Sequence, residues 1–402
     1  MASATIRKDV AAQRGVSAVK KAFLYRLYPS EEQAALLQQQ LDVAREVYNA
    51  CLLERREAYS MAGVTLNYYA QANQLKAIRR ERPDIAAVNF SMLQASCRRA
   101  QRAYENFFRR VKAGQPAGFP RFKSKARFNS ITFPSYGDGC RLRDNRLYIQ
   151  GVGLLKVKLH RPVGGTIKTV TLKRVGHRWY VVIVCEVAVV PLPATGQAVG
   201  LDLGLTAFLM TDTGQPVEHP QPLRAAQAQL RVAQRSLARK KRGSHRRQKQ
   251  RRRVARLHEK SANVRRNFQH QTAHKLVRAF DVLCHEDLAI KNMVRNHSLA
   301  RSISDAAWGQ FIAIFVGKAA GAGRQTVAVH PRDTSKTCVC GELVPKDLSE
   351  RWHHCPRCGL SLPRDQVSAM LIKALGLEML AQQSGLGSSP QAPTWPAGAC
   401  VA

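Results

Sequence analysis

The chain has 402 residues, of which 64 are Lys or Arg and only 27 are Asp or Glu, for a formal net charge of +37. A hydrophobic fraction of 45% excludes a wholly disordered protein and allows two or three domains. A compact chain this basic repels itself unless a polyanion neutralises it, so nucleic acid is the expected partner and an anionic membrane surface the alternative.

Residues 1–20 read as a basic, disordered arm without the apolar core of a signal peptide. "KAFLYRLYP" (21–29) alternates like a strand, and Ser30-Glu31-Glu32-Gln33 is a capping box that opens a helix. Leu36, Leu37, Leu41, Ala44, Val47 and Tyr48 fall on one face of that helix. Helical sequence continues through Phe108, with Leu93, Tyr104, Phe107 and Phe108 as expected core. Residues 112–128 form a Gly/Pro-punctuated basic loop. There Phe119 and Phe122, beside Arg121 and Lys123 and downstream of Arg98, Arg99, Arg102, Arg109 and Arg110, suit base stacking or core packing. Short strands follow, ending in a hairpin that turns at Gly176-His177. "VVPLPATG" (189–196) is a linker and a boundary. No apolar run here or elsewhere approaches the ~18 residues of a spanning helix.

From Ala198 the pattern becomes α/β. "AVGLDLGLTAFLMTDTG" reads as a buried strand, a turn at Gly200 and Gly204, and a second strand. Leu223, Leu230 and Leu237 recur every seven residues on one long helix, and Leu257, Val264 and Phe268 mark another. Between them runs a basic stretch: Arg239, Lys240, Lys241, Arg242, Arg246, Arg247, Lys249, Arg251, Arg252 and Arg253. This is a phosphate-tracking element or a solvated face. A strand at 281–290, a helix at 304–323 and a final helix at 366–380 complete the region, before a low-complexity tail expected to be disordered.

Acids are scarce, so those set against apolar strands need a reason. Asp202 closes one buried strand, Glu286 closes another, and Asp365 opens the last helix. A carboxylate in an apolar strand costs several kcal/mol unless it is paired or holds a metal. Taken together the three suit Mg²⁺, which prefers carboxylate oxygen; taken singly, Asp202 and Asp365 also suit turns or caps, and Glu286 an arginine partner. Asp287 competes with Glu286, because strand alternation points only one of the two inward.

Four of ten cysteines cluster as Cys338-x-Cys340 and Cys355-x₂-Cys358, pointing to one zinc site in a reducing compartment rather than a disulfide framework. The first pair is one residue short of the usual turn. His353 or His354 is therefore a possible replacement ligand, and a metal-free ribbon packed around Trp352 is the alternative.

The ordered set "KAFLYRLYPSEEQ", "AGFPRFK", "GLDLGL", "HEDLAIKNM", "SISDAAWGQF", "VHPRDTSKTCVCG" and "CPRCG…RD" resembles the TnpB family of transposon-encoded RNA-guided nucleases, ancestors of type V CRISPR effectors. The resemblance spans about Lys21 to Leu380. It implies a multidomain α+β and α/β protein: a split β-barrel wedge domain (21–33 and 129–192) around an inserted helical recognition domain (34–128). A RuvC-like nuclease domain of RNase H fold (198–330 and 363–381) would follow, with an inserted zinc ribbon (331–362) and a disordered tail (382–402). It also implies catalysis by Asp202, Glu286 and Asp365 on two Mg²⁺ ions, Zn²⁺ on the four cysteines, a guide RNA, double-stranded target DNA and a prokaryotic, cytoplasmic setting.

The family's last motif reads Asp-Arg-Asp-x-Asn-Ala-Ala, whereas this chain has Pro363-Arg364-Asp365-Gln366-Val367-Ser368-Ala369. Arg364 matches and is expected to contact nucleic acid; the first aspartate and the asparagine are absent. The expected function is therefore RNA-guided DNA cleavage beside a short flanking motif. The alternatives are an RNA-guided DNA-binding repressor with weak or no cleavage, a miniature type V effector, and a DNA-strand transferase that works without RNA.

Overall fold

Alternation of apolar and polar side chains carries β1 (Ala18–Tyr28) through the middle of a sheet, with Phe23, Tyr25 and Leu27 turned inward. The computed structural model describes residues 18–347 and 350–383. Ala18–Lys20, expected in the disordered arm, instead pair with Ala188–Glu186. The rest of the arm and nearly all of the tail lie outside the described residues; Gln382 and Gln383 belong to the last helix.

The chain divides into two compact units between Ala188 and Val189. In the first, α1 (Glu31–Ala62) starts at the anticipated capping box: Ser30 Oγ accepts from Gln33 N at 3.2 Å, and the Gln33 side chain accepts from Ser30 N at 3.1 Å. Next come α2 (Tyr68–Glu81), α3 (Pro83–Ala86) and α4 (Phe90–Lys112). The strands are β2 (Ser130–Phe133), β3 (Cys140–Arg143), β4 (Arg146–Ile149), β5 (Gly153–Lys158), β6 (Thr166–Val175) and β7 (Arg178–Ala188). With β1 they make a nearly closed antiparallel sheet in the order β2-β6-β7-β1-β5-β4-β3. Helices and strands share one apolar core, from Leu37, Leu41 and Leu93 on the helices to Phe133, Leu155 and Ile183 on the strands. Three expected core residues are not in it: Leu36, at the edge of the α1 stripe, and Phe108, in the last turns of α4, are exposed, and Phe107 is half-buried against Phe119.

The second unit is mixed α/β. It holds β8 (Ala198–Asp202), β9 (Leu209–Thr211), β10 (Pro216–Val217), α5 (Pro222–Ala225), α6 (Gln227–Ala238), α7 (His245–Ala279) and β11 (Val282–Glu286). After them come α8 (Ile290–Met293), α9 (Ala300–Ala306), α10 (Trp308–Gly321), β12 (Gln325–Val329), β13 (Trp352–His354), β14 (Ser361–Pro363) and α11 (Arg364–Gln383). Five strands form one sheet in the order β10-β9-β8-β11-β12. The β8–β9–β10 meander is antiparallel, and β8, β11 and β12 are parallel. No helix among the described residues is long and apolar enough to cross a membrane.

Three helical expectations change. The heptad of leucines does not mark one helix, because α5 is a separate turn. Asp305 takes hydrogen bonds from the backbone N–H groups of Leu223 and Arg224 and so fixes a helix start there. The 304–323 segment breaks at Ala307, which adopts a left-handed φ of 52° while Gln269 Nε2 donates to the Ala306 and Ala307 carbonyls. The basic stretch set between two helices is itself mostly helix: from Arg246 onward it belongs to α7, and only 239–244 turn. Val264, counted toward the α7 stripe, is exposed.

Candidate active site

Strand alternation decides which side chains reach the site. On β8, Val199 and Leu201 enter the core under α7 and α10, so Gly200 and Asp202 face the opposite side. On β11, Leu283 joins that core while Cys284 packs with Ile372 of α11, so Glu286 shares the α11 face. Glu286 is buried and Asp287 is exposed, which settles the choice between them. The parallel register pairs His285 with Leu201, and its next step brings Glu286 level with Asp202.

Asp365 arrives on α11, and glycine sets how close that helix comes. A Cβ on Gly200 would lie 1.9 Å from the Ala369 carbonyl oxygen, and one on Gly376 would lie 2.3 Å from Cys284 Sγ. Gly200 is therefore the seat of a helix and not the turn the sequence suggested. Asp212 fastens the crossing: its carboxylate accepts from Gly200 N at 3.1 Å and from Lys373 Nζ at 2.8 Å. Ala369 and Ile372 are fully buried beneath.

Asp202 feels both other carboxylates. Burial, then the charges of Glu286 and Asp365, push the Asp202 carboxyl up to about 8, with Arg364 opposing. Burial also raises Glu286, against a hydrogen bond from the buried Thr334 hydroxyl. Arg364 lies 3.3 Å from Asp365 Oδ1, and its Nη1 donates to the Glu350 carbonyl at 3.1 Å. The carboxylates at the ends of β8 and β11 and at the start of α11 are hard oxygen donors of the kind a divalent cation takes. Val367, where the family motif has asparagine, is buried and apolar.

The four cysteine sulfurs lie within 4.8 Å of one another. Cys338–Cys358 and Cys340–Cys355 are 3.7 and 3.6 Å apart, close to the ~3.8 Å edge of a tetrahedron with 2.3 Å zinc–sulfur bonds. Burial works against a Cys355 thiolate, but backbone N–H groups of Cys358 and Arg357 bring it down to about 7. The short Cys338-x-Cys340 turn thus supplies both its sulfurs, and neither histidine is needed. His353 is buried against Lys346, and the Trp352 ring is exposed, so it is not the centre of a packed ribbon.

The basic run divides on inspection. Arg239, Lys241, Arg242, Arg246, Lys249, Arg251, Arg252 and Arg253 are exposed, and Lys240 is half-buried. Arg247 is engaged within the protein, its Nη1 donating to the Leu237 and Lys240 carbonyls at 2.9 and 2.8 Å. In the first unit Arg121 is exposed and Lys123 half-buried, its N–H donating to Asn49. Phe119 is half-exposed and packs edge-on against Tyr104 and Phe107.

Sequence reasoning passed over Thr334, Gly376, Asp212 and Lys373. Thr334 sat unmarked beside the cysteines, and Asp212 reads as an ordinary turn residue in "TDTG".

Comparison with known proteins gives three family matches. Residues 182–297 match OrfB_IS605 ("Probable transposase"), residues 308–372 match the Cas12f1-like TNB domain, and residues 17–63 match the OrfB_IS605 helix-turn-helix domain. A Streptomyces pristinaespiralis protein named "Putative RNA-guided DNA endonuclease" is 34% identical over 93% of this chain and 93% of its own. The Escherichia coli K12 "Putative RNA-guided DNA endonuclease InsQ" is 28% identical over 90% of this chain and 93% of its own. Among solved structures, the mini-RNA-guided endonuclease CRISPR-Cas_phi3 aligns with a TM-score of 0.49 at 9% identity, covering 92% of this chain and 94% of that one. A Cas12f1-sgRNA-target DNA complex aligns at 0.34 and 15%, covering 88% and 99%.

Proposed function

The chain belongs to the TnpB family of RNA-guided DNA endonucleases, and on that premise we propose that Asp202, Glu286 and Asp365 are the metal-binding acids of its nuclease site. The activity is RNA-guided DNA cleavage, with a guide RNA and target DNA as partners. The observation that supports this site most is that burial, and then the charges of Glu286 and Asp365, raise the Asp202 carboxyl to about 8.

Two Mg²⁺ ions bound there would activate a water and neutralise charge at the scissile phosphate. The protein's own part is positioning. Asp202, whose carboxyl feels both other acids, would help to hold both ions. Glu286 is oriented by the Thr334 hydroxyl, and Asp365 is fixed by the seat of α11 on Gly200. Arg364, beside Asp365, offsets part of the negative charge of the acids and would face the nucleic acid.

The strand order β10-β9-β8-β11-β12, with three antiparallel and two added parallel strands, supports an RNase H-type reading of 198–330 and 363–381. The cysteine ribbon, 331–362, would hold zinc and touch target nucleic acid. In the first unit we assign 21–33 and 129–192 to a wedge and 34–128 to recognition. The exposed cations of the 239–253 run, with Arg121 and Lys123, would meet phosphates, and base pairing with the guide would supply most sequence specificity. A second reading, RNA-guided binding with weak cleavage, draws on Val367, which cannot offer the amide the family places there.

The test starts from the RNA that co-purifies with the full-length chain. Once sequenced, its guide segment is rewritten and a plasmid carrying the matching target beside a randomised flank is supplied with Mg²⁺ or EDTA. The expected result is one discrete RNA and Mg²⁺-dependent cutting confined to matched plasmids. Guide-dependent plasmid retention without cutting would establish the second reading, and the absence of any discrete RNA would overturn both.

A further inference from the structure

The second unit holds a cavity of about 840 Å³ lined from α5, α6, α7 and the start of α9, and the metal site uses none of its lining. Arg224, Arg231 and Arg301 line it, with His258 and His297, and all five are exposed. Arg224 Nη1 donates to a neutral partner, Gln221 Oε1, at 3.0 Å. Among the described residues none of the three arginines is ion-paired with a carboxylate. The one acid in the lining, Asp305, is buried and already satisfied by Leu223 N, Arg224 N and Arg265 Nη2, at 3.0, 3.1 and 3.0 Å. The cavity is therefore cationic without compensation. Leu205, Leu223 and Leu230 give it an apolar wall beside the half-buried His219, and Gln221, Gln227 and Gln234 add amides.

We propose that this cavity holds a nucleotide of a single strand, its phosphate against the arginines and its base against the leucines, with the amides and imidazoles at the base edge. A nucleotide is the one common anion that joins a phosphate, a flat apolar face and hydrogen-bonding edges, and the cavity lies in the size range of pockets that enclose such molecules. An acidic peptide would satisfy the arginines and leave the leucine wall unmatched. The choice of a nucleic-acid strand rests on the reading above, but not on the metal site.

Five-nucleotide uridine RNA and thymidine DNA strands, each carrying one photoreactive 4-thio base, test it on the full chain in EDTA, with the co-purified RNA either retained or stripped by high salt. Cross-links should map to the peptides bearing His258 and His297. R224Q/R231Q/R301Q should cut their yield about tenfold, the loss of one stacked and charge-paired nucleotide. S302W, an exposed change that fills the cavity without altering its charge, should do the same. DNA cross-linking with RNA retained assigns the cavity to the DNA strand, and cross-linking only after stripping assigns it to the guide. Cross-links spread over the basic surface, or yields unchanged in both variants, would overturn the proposal. So would displacement by octaglutamate as effective as by unlabelled strand, which would mark an acidic-peptide site.

Discussion

Asp202, Glu286 and Asp365 reach their site from two strands and a helix, whereas Cys338, Cys340, Cys355 and Cys358 reach theirs from two turns. The acids are set by elements whose geometry the rest of the unit enforces, so their positions survive without a metal and their repulsion is stored in the fold. The cysteines have little else to hold them. Among the described residues their ribbon has one short pair of strands, β13 and β14, and an isolated bridge from Thr337 to Leu343, and its four sulfurs lie within 4.8 Å of one another. The first site would be filled by its ions, the second built by its ion.

Removing an acid should therefore silence chemistry and spare structure. Asp202→Ala is expected to lower target cleavage below detection, with guide binding unchanged and the apo protein slightly more stable, since a buried carboxyl that resists ionisation is removed. Cleavage at the wild-type rate would remove Asp202 from the site. Cysteine loss should do the reverse. Cys340→Ser should lower zinc affinity at least tenfold and expose the 331–363 segment to protease, while the sheet around β8 keeps its hydrogen-exchange protection. Full zinc occupancy in that variant would show that the shortened turn is not a ligand.

Two glycines sharpen the contrast within the sheet-borne site. Gly200→Ala should destabilise the protein by about 1–3 kcal/mol in denaturant titration and reduce cleavage, because the new Cβ displaces α11 and with it Asp365. Gly317→Ala, in α10 with nothing within 4 Å of a Cβ, should stabilise by about 0.5–1 kcal/mol. Equal effects would mean that α11 is not seated as described.

The smallest effect concerns the staple at the start of this unit. Asp281 accepts from the N–H groups of Thr195 and Gly196 and from the Thr195 hydroxyl, and pairs with Arg324; the Thr195 N–H first, and the ion pair least, hold its carboxyl below the usual 3.8. A depressed acid stabilises the fold above its unfolded pKa and loses that contribution as pH falls through its folded value. Asp281→Asn should therefore lower the melting temperature modestly at pH 7 and flatten its decline below about pH 4. An unchanged acid limb would place the staple's stability elsewhere.

What the sequence made legible follows from what is local. Period-two alternation separated Glu286 from Asp287, and the capping box at Ser30 marked the start of α1 to the residue. The seat of α11 was not legible, because Gly200 serves a helix that follows it by well over a hundred positions and nothing near "VGLDLG" announces a partner. The break after α5 was hidden for the same reason: its cause is Asp305. The four cysteines were legible as one site; the shortened spacing left open only whether Cys338 and Cys340 both reach it, which the convergence of the four sulfurs answers. Arg247 looks like its neighbours in a string of cations and differs only by the two carbonyls it meets.

The seat of α11 also imposes an order in time. Synthesis runs at about 5–20 residues per second, so Asp365 leaves the ribosome roughly 8–30 s after Asp202. Until α11 lies across Gly200, the chain carries two of its three acids and its whole basic surface. A nascent chain is thus able to gather RNA before it is able to cut anything.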